Sequence, residues 1–310
     1  MQNPKRILSW FLLILFFILF GFLVYNIQQI KAEKSMALSN VLQSVSDTDI
    51  QTADVAKKQW NIADFQIPAH SAISLATNLV DENDNQILFS KNEQAKLPIA
   101  SLTKLMTAIV ALDTYELSDN IVVDALADSV ESVSKDLKLG DTLSMDDLLH
   151  IMLISSSNKA AMALAEKVGE TNFVWLMNEK AKYIGLENTH YADATGLSQD
   201  NYSTSGDLAR LAIYILKNYP QIVQITEKKE IELPSFGKVE STNQLLGKIP
   251  GIIIGKTGFT LDAKGCLLLA IYNQKAKNYL INVILASDDR FKDMQKMINW
   301  VDDAYSWQKS

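Results

Sequence analysis

The feature that most restricts this chain is a succession of apolar runs towards its C-terminal end. "EIELPSF", "GIIIGKTGF", "GCLLLAIYN" and "YLINVILAS" follow one another from Glu230 to Ser287. The last three are joined by polar turns too short for the crossover that a parallel pair requires, so neighbouring runs are predicted to pair antiparallel. The end of the chain, "RFKDMQKMINWVDDAYSW", then sets Phe291, Met294, Ile298, Val301 and Tyr305 at helical spacing. That spacing fits a helix laid over one face of the sheet.

A second β-like stretch stands far away in sequence. After Pro68, "SAISLATNLVD" and "QILFSKN" flank the polar turn "ENDN" and read as a hairpin. A helical middle separates the two β regions. It holds a core helix from near Ser101 and a helix with capping-box spacing from Ser144 to Asp147. "NKAAMALAEKVG" and "NFVWLMNEKAKYIG" are closed by Gly169 and Gly185, and "DLARLAIYILKNYP" is stopped by Pro220. The predicted fold class is α+β: an antiparallel sheet built from both ends of the chain, covered by helices, with an all-helical block inserted. A cleft is expected at that junction.

From Ile7 to Ile30 there is no charged side chain and the run is densely Leu, Ile and Phe, long enough to span a bilayer. No small-x-small cleavage site follows it, so it reads as an uncleaved anchor at 7–30 behind a short tail at 1–6. Lys5 and Arg6 before the span are matched by Lys31 and Lys34 after it, which leaves orientation to function. Residues 31–65 are polar and read as a tether, with a root-mean-square span of about 30 Å if flexible. Residues 66–310 form the expected catalytic domain.

The formal net charge is -7, without clustered Lys and Arg, which disfavours a nucleic-acid partner. The single cysteine, Cys266, excludes an internal disulfide and sits in an apolar run, where a buried structural thiol is the default. His70, His150 and His190 show no metal-ligand spacing, and no metal or cofactor is expected.

Three short motifs stand out, each with decoys. A Ser and a Lys three apart occur, among other places, at Ser101 and Lys104, Ser132 and Lys135, and Ser156 and Lys159. Only the first pair opens a helix with a strong buried stripe, "PIASLTKLMTAIVALD", and places both side chains on one flank of it. The spacing S-x-N occurs at Ser118-Asp119-Asn120, which reads as a turn, and at Ser241-Thr242-Asn243, ahead of the β region, where it orients a loop. Its third occurrence, Ser156-Ser157-Asn158, stands at a helix start, where a cap accounts for one residue but not for the ordered pair. Lys256-Thr257-Gly258 ends an apolar strand, and its Gly fits a strand that a ligand's backbone approaches closely.

In that order S-x-x-K, S-x-N and K-T-G resemble the signature set of penicillin-binding proteins and serine β-lactamases. Together, "PIASLTKLMTA", "LISSSNKAAMALAE", "DATGLSQDNYSTSGDLARLA" and "GKTGFT" are similar to the serine D-alanyl-D-alanine carboxypeptidases, from about Ser71 to Trp300. The resemblance implies a β-lactamase/transpeptidase-like fold. It also implies cleavage of the terminal D-alanine from peptidoglycan stem peptides through an acyl-enzyme, with β-lactam antibiotics as covalent inhibitors. Ser101 would be the nucleophile and Lys104 its general base, active only when neutral, which burial and a nearby Lys256 both favour. Ser156 would relay a proton to the leaving amine, and Asn158 would hold the substrate amide and Lys104. Lys256, Thr257 and Gly258 would line the subsite for the substrate's terminal carboxylate, with Arg290 beside them, although a helix-start Arg explains Arg290 equally well. The backbone N–H groups of Ser101 and Phe259 would form the oxyanion hole.

Peptidoglycan lies outside the cytoplasmic membrane, so a single-pass protein with its N-terminus inside and its catalytic domain outside is expected. Many members of the family carry a C-terminal β domain and an amphipathic anchor, for which the N-terminal span would substitute here. The rivals are a D,D-endopeptidase, a β-lactamase that uses Glu187 for deacylation, and a non-catalytic peptidoglycan-binding protein.

Overall fold

A computed structural model of the chain describes residues 55–79, 85–132 and 137–308. The expected anchor at 7–30, most of the tether, most of the "ENDN" turn and Lys135 lie outside the described residues. Among the described residues no helix is long and apolar enough to cross a membrane.

The strands are β1 (Val55–Lys58), β2 (Ser71–Thr77), β3 (Gln86–Lys91), β4 (Ile252–Thr260), β5 (Lys264–Asn273), β6 (Asn278–Ser287) and β7 (Tyr305–Gln308), with three further two-stranded pairings left unnumbered. A five-stranded antiparallel sheet runs in the order β4-β5-β6-β2-β3, so the two ends of the chain meet where β6 pairs with β2. The helices of seven residues or more are α1 (Lys104–Thr114), α2 (Met145–Ile154), α3 (Asn158–Glu166), α4 (Glu170–Ile184), α5 (Ser205–Asn218), α6 (Pro220–Thr226) and α7 (Arg290–Ala304), with a single short turn of helix at Ala125–Ser129 left unnumbered. Helices α1 to α6 form the inserted block between β3 and β4, as the helical middle of the sequence predicts. Pro220 stops α5 by starting α6, at the position where its missing N–H and fixed φ suit a first turn.

Strand alternation explains why the apolar runs are continuous. Leu267, Leu269 and Ile271 of β5 point to one core, with Met294, Met297 and Val301 of α7. Cys266, Leu268 and Ala270 point to the other, with Leu105, Ile109, Leu208 and Leu211 of the helical block. Both faces of the sheet are therefore covered, and every position of "GCLLLAI" is apolar or Gly because none faces water. Cys266 is fully buried, and burial pushes its thiol up to about 11, as expected of a structural cysteine.

Described structure is already present at Val55, ahead of the tether's expected end at residue 65. Strand β1 pairs antiparallel with β7, and the Gln86 side chain clasps Ala56 from both sides, accepting from its N–H at 3.1 Å and donating to its carbonyl at 2.7 Å. Phe65 stacks on Trp300 at 5.6 Å and meets Phe89 edge-on. The polar composition of 55–65 hid this because the segment is an edge strand and a strap, each with only alternate or isolated apolar residues to bury.

A chain begun at Asn61 lacks β1 and should melt about 2–6 °C below one begun at Ala53, from about 1–2 kcal/mol of lost pairing and burial. Equal melting temperatures would show that β1 contributes nothing to stability.

Candidate active site

Ser101 does not sit in the α-helix that its spacing predicts. It lies in a turn of 3-10 helix, Ala100–Thr103, that feeds into α1. Ala100 adopts φ +48°, a left-handed conformation rare outside glycine, at about 1–3 kcal/mol. The tighter turn keeps the three-residue spacing useful: Lys104 Nζ donates to Ser101 Oγ at 3.1 Å. Lys104 is fully buried rather than on the flank of the helix, and it also donates to Asn158 Oδ1 and to the Thr195 carbonyl, each at 2.6 Å.

The S-x-N motif divides its labour. Ser157, the middle residue, is the N-cap of α3, accepting from Ala160 N at 3.0 Å. That leaves the Ser156 and Asn158 side chains free to bond the two lysines, and Ser156 adopts φ +65°. Ser156 Oγ accepts from Lys256 Nζ at 2.7 Å, and Asn158 Nδ2 donates to the Glu131 carbonyl at 2.8 Å.

Lys256 arrives on β4 with 1% of its surface exposed and donates a second bond to the Thr257 carbonyl at 3.1 Å. Burial holds its ammonium well below the ordinary lysine range, and the charges of Lys104 and then Arg290 add to the effect. At Gly258 the chain's own backbone makes a close approach. A Cβ there would stand 2.9 Å from the Ile99 carbonyl and 3.1 Å from Ser101 N, so its absence lets β4 lie against the Ser101 turn. Phe259 follows with 60% exposure. The half-buried guanidinium of Arg290, at the start of α7, lies over the Phe259 ring at 5.9 Å and the Phe291 ring at 4.8 Å.

The structure thus brings the five residues into one cluster of two hydrogen-bonded sets, Ser101, Lys104 and Asn158 in one and Ser156 and Lys256 in the other, near enough for the charge of Lys104 to act on Lys256, with Thr257, Gly258, Phe259 and Arg290 adjoining them. The decoys go elsewhere. Lys159 binds Asp128 at 2.7 Å and the Leu137 carbonyl, and Asp119 forms the expected turn and pairs with Lys167 at 2.6 Å. Glu187 lines a separate cavity of about 660 Å³ with Arg210 and Lys217, which none of the cluster residues lines.

Reading residue by residue missed the loop that supplies Thr195. The Asp193 carboxylate accepts from Thr195 N, Thr195 Oγ1, Gly196 N and Ser198 N, which fixes the loop. Asn201 ties it to the Ser101 turn, donating to Thr103 Oγ1 at 3.0 Å and offering its carbonyl to Ile99 N at 3.1 Å. The available signal was a run of Asp, Thr, Gly, Ser and Asn between helices, the composition of side chains that bond their own backbone.

A family model described as D-alanyl-D-alanine carboxypeptidase matches residues 56–289. A D-alanyl-D-alanine endopeptidase of Pseudomonas aeruginosa is 34% identical over 248 residues, 76% of this chain and 80% of its own length. The D-alanyl-D-alanine carboxypeptidase DacF of Bacillus subtilis is 34% identical over 64% of this chain and 54% of its own. The fold is similar to that of penicillin-binding protein D2 from Listeria monocytogenes, crystallised in its ampicillin-bound form. The TM-score is 0.68 and the identity 29%, over 77% of this chain and 99% of that one.

Because the folded chain favours neutral Lys256, the unfolded chain binds more protons between that lowered value and the ordinary lysine value of about 10.4, and stability rises with pH across this window. Lys256→Met removes the dependence. The Tm of the variant minus that of the parent should therefore fall as pH rises from about 6 to about 10. A difference that stays constant would show an ordinary proton affinity at Lys256.

Proposed function

The chain belongs to the D-alanyl-D-alanine carboxypeptidase family of serine peptidases, and from that membership we propose that it removes the terminal D-alanine of peptidoglycan stem peptides through an ester on Ser101. The observation that carries the reading is the contact between Ser101 Oγ and the buried Lys104 amine. A serine hydroxyl becomes a useful nucleophile when an adjacent base takes its proton, and Lys104 is held within reach of it.

Ser101 Oγ attacks the carbonyl carbon of the penultimate D-alanine as its proton passes to neutral Lys104. The carbonyl oxygen takes up negative charge facing the backbone N–H groups of Ser101 and Phe259. Donors of this kind are worth about 2.7–4 kcal/mol each. When the tetrahedral adduct collapses, the C–N bond breaks and Ser156 passes its proton to the departing amine while taking up the one held by Lys104, which leaves Lys104 neutral again. Lys256, on the far side of Ser156, holds that hydroxyl in place. Water then attacks the ester, Lys104 accepts a proton from it, and Ser101 Oγ leaves protonated. The substrate's terminal carboxylate lies against Lys256 and Thr257 as hydrogen-bond donors, with the Arg290 guanidinium supplying positive charge beside them.

Two further elements belong to this reading. A β-lactam acylates the same Ser101, its carboxylate taking the place of the substrate's. Residues 7–30 anchor the chain in the bacterial cytoplasmic membrane with residues 1–6 inside, which puts the peptidase on the side where peptidoglycan lies. The support for the anchor is an uncharged apolar run of sufficient length.

A second reading, D,D-endopeptidase action on cross-linked peptides, is favoured by the name of the Pseudomonas relative. It needs the same acyl group and differs only in a longer leaving amine.

Intact mass of the full chain after mixing with a penicillin should show one lasting adduct, absent from Ser101→Ala. In Lys104→Ala the adduct should form about 10²–10⁴-fold more slowly. An adduct on the Ser101→Ala protein would remove Ser101 from the role, and undiminished acylation of Lys104→Ala would remove the base. Release of free D-alanine from a pentapeptide, assayed beside cleavage of a cross-linked dimer, separates the two readings.

A further inference from the structure

Ser241-Thr242-Asn243 is an S-x-N triplet that neither the cluster nor a surface turn absorbs. Its middle residue reaches the site: Thr242 Oγ1 lies 2.6 Å from Thr257 Oγ1. We propose that Thr242 is a positioning residue for carboxylate recognition, its hydroxyl fixing the direction in which the Thr257 hydroxyl donates. The proposal rests on the peptidase reading and names a residue which that reading does not use.

The backbone is held where this requires. Thr242 N donates to the carbonyl of Ile154, the last residue of α2 and two before Ser156, at 3.2 Å. Asn243 is 3% exposed, and its Oδ1 accepts from Leu245 N at 3.1 Å. Its Nδ2 occupies the space over Gly255, where a Cβ would come within 2.4 Å of it. The loop is thus wedged between the end of α2 and β4, and Thr242 faces Thr257 from a fixed backbone.

The direction follows from counting hydrogens. Two hydroxyls carry two hydrogens, and one of them lies between the two oxygens. A carboxylate only accepts, so it must receive the other. With Thr257 next to Lys256 and 4% exposed, the arrangement that reaches an anion at the end of β4 is Thr242 donating to Thr257 and Thr257 donating to the carboxylate. Each bond in such a chain polarises the next. Without the Thr242 hydroxyl, the Thr257 O–H loses the partner that orients it. Thr242 itself is largely exposed, so replacing it leaves the core intact.

The test uses the full chain and two probes: a penicillin with its free carboxylate, and the methyl ester of the same penicillin. Acylation rate constants are read by intact mass. Thr242→Val should lower the rate with the free acid about tenfold and leave the ester rate within about twofold, while Thr242→Ser should keep both within about threefold of the parent. Equal losses on the two probes, an unchanged rate with the free acid, or no rescue by serine would each overturn the assignment. Absence of an adduct on the parent chain is a different result, since it removes the peptidase reading on which the assignment rests.

Discussion

Two lysine side chains are buried within one wall of this protein, and the rest of the site is arranged around them. Lys104 is fully buried and Lys256 is 1% exposed. Taking an ammonium group out of water costs several kcal/mol unless acceptors replace the lost hydration. The acceptors come from four separate parts of the chain. Ser101 Oγ comes from the 3-10 turn, Ser156 Oγ and Asn158 Oδ1 from the start of α3, the Thr195 carbonyl from an Asp-clasped loop, and the Thr257 carbonyl from β4. At Lys256, burial first and then the charges of Lys104 and Arg290 favour the neutral amine.

That demand for acceptors ties the fold to the chemistry. Strand β4 must lie against the Ser101 turn for Lys256 to reach Ser156, and Gly258 makes the approach sterically possible. The sheet can hold β4 in place because both of its faces are covered, by α7 on one side and the helical block on the other. The left-handed backbones of Ala100 and Ser156 are the local strain that this packing supports.

Much of the fold was legible from spacing alone. Short turns between the last apolar runs required antiparallel pairing, and the stripe on "RFKDMQKMINWVDDAYSW" marked the covering helix. The sequence misled where one local signal served two masters. Ser101 and Lys104 share a helix's periodicity, yet the serine lies in a 3-10 turn because the backbone is diverted at Ala100. Residues 55–65 read as tether because an edge strand and a strap bury few of their residues.

The sequence by itself determined which residues are available and what local structure they favour: most of the strands and helices, a cap somewhere in Ser156-Ser157-Asn158 and the order of the three motifs. Those depend on propensity and periodicity, which act over a few residues. Only the tertiary structure decided that Lys104 is enclosed rather than at the edge of its helix. The same holds for Gly258, which serves the chain's own backbone, and for Thr242, Thr195 and Arg290, which stand beside the motifs. These placements depend on contacts across roughly a hundred residues of intervening chain, made when β4 docks against the Ser101 turn and α3, and no local pattern carries that information.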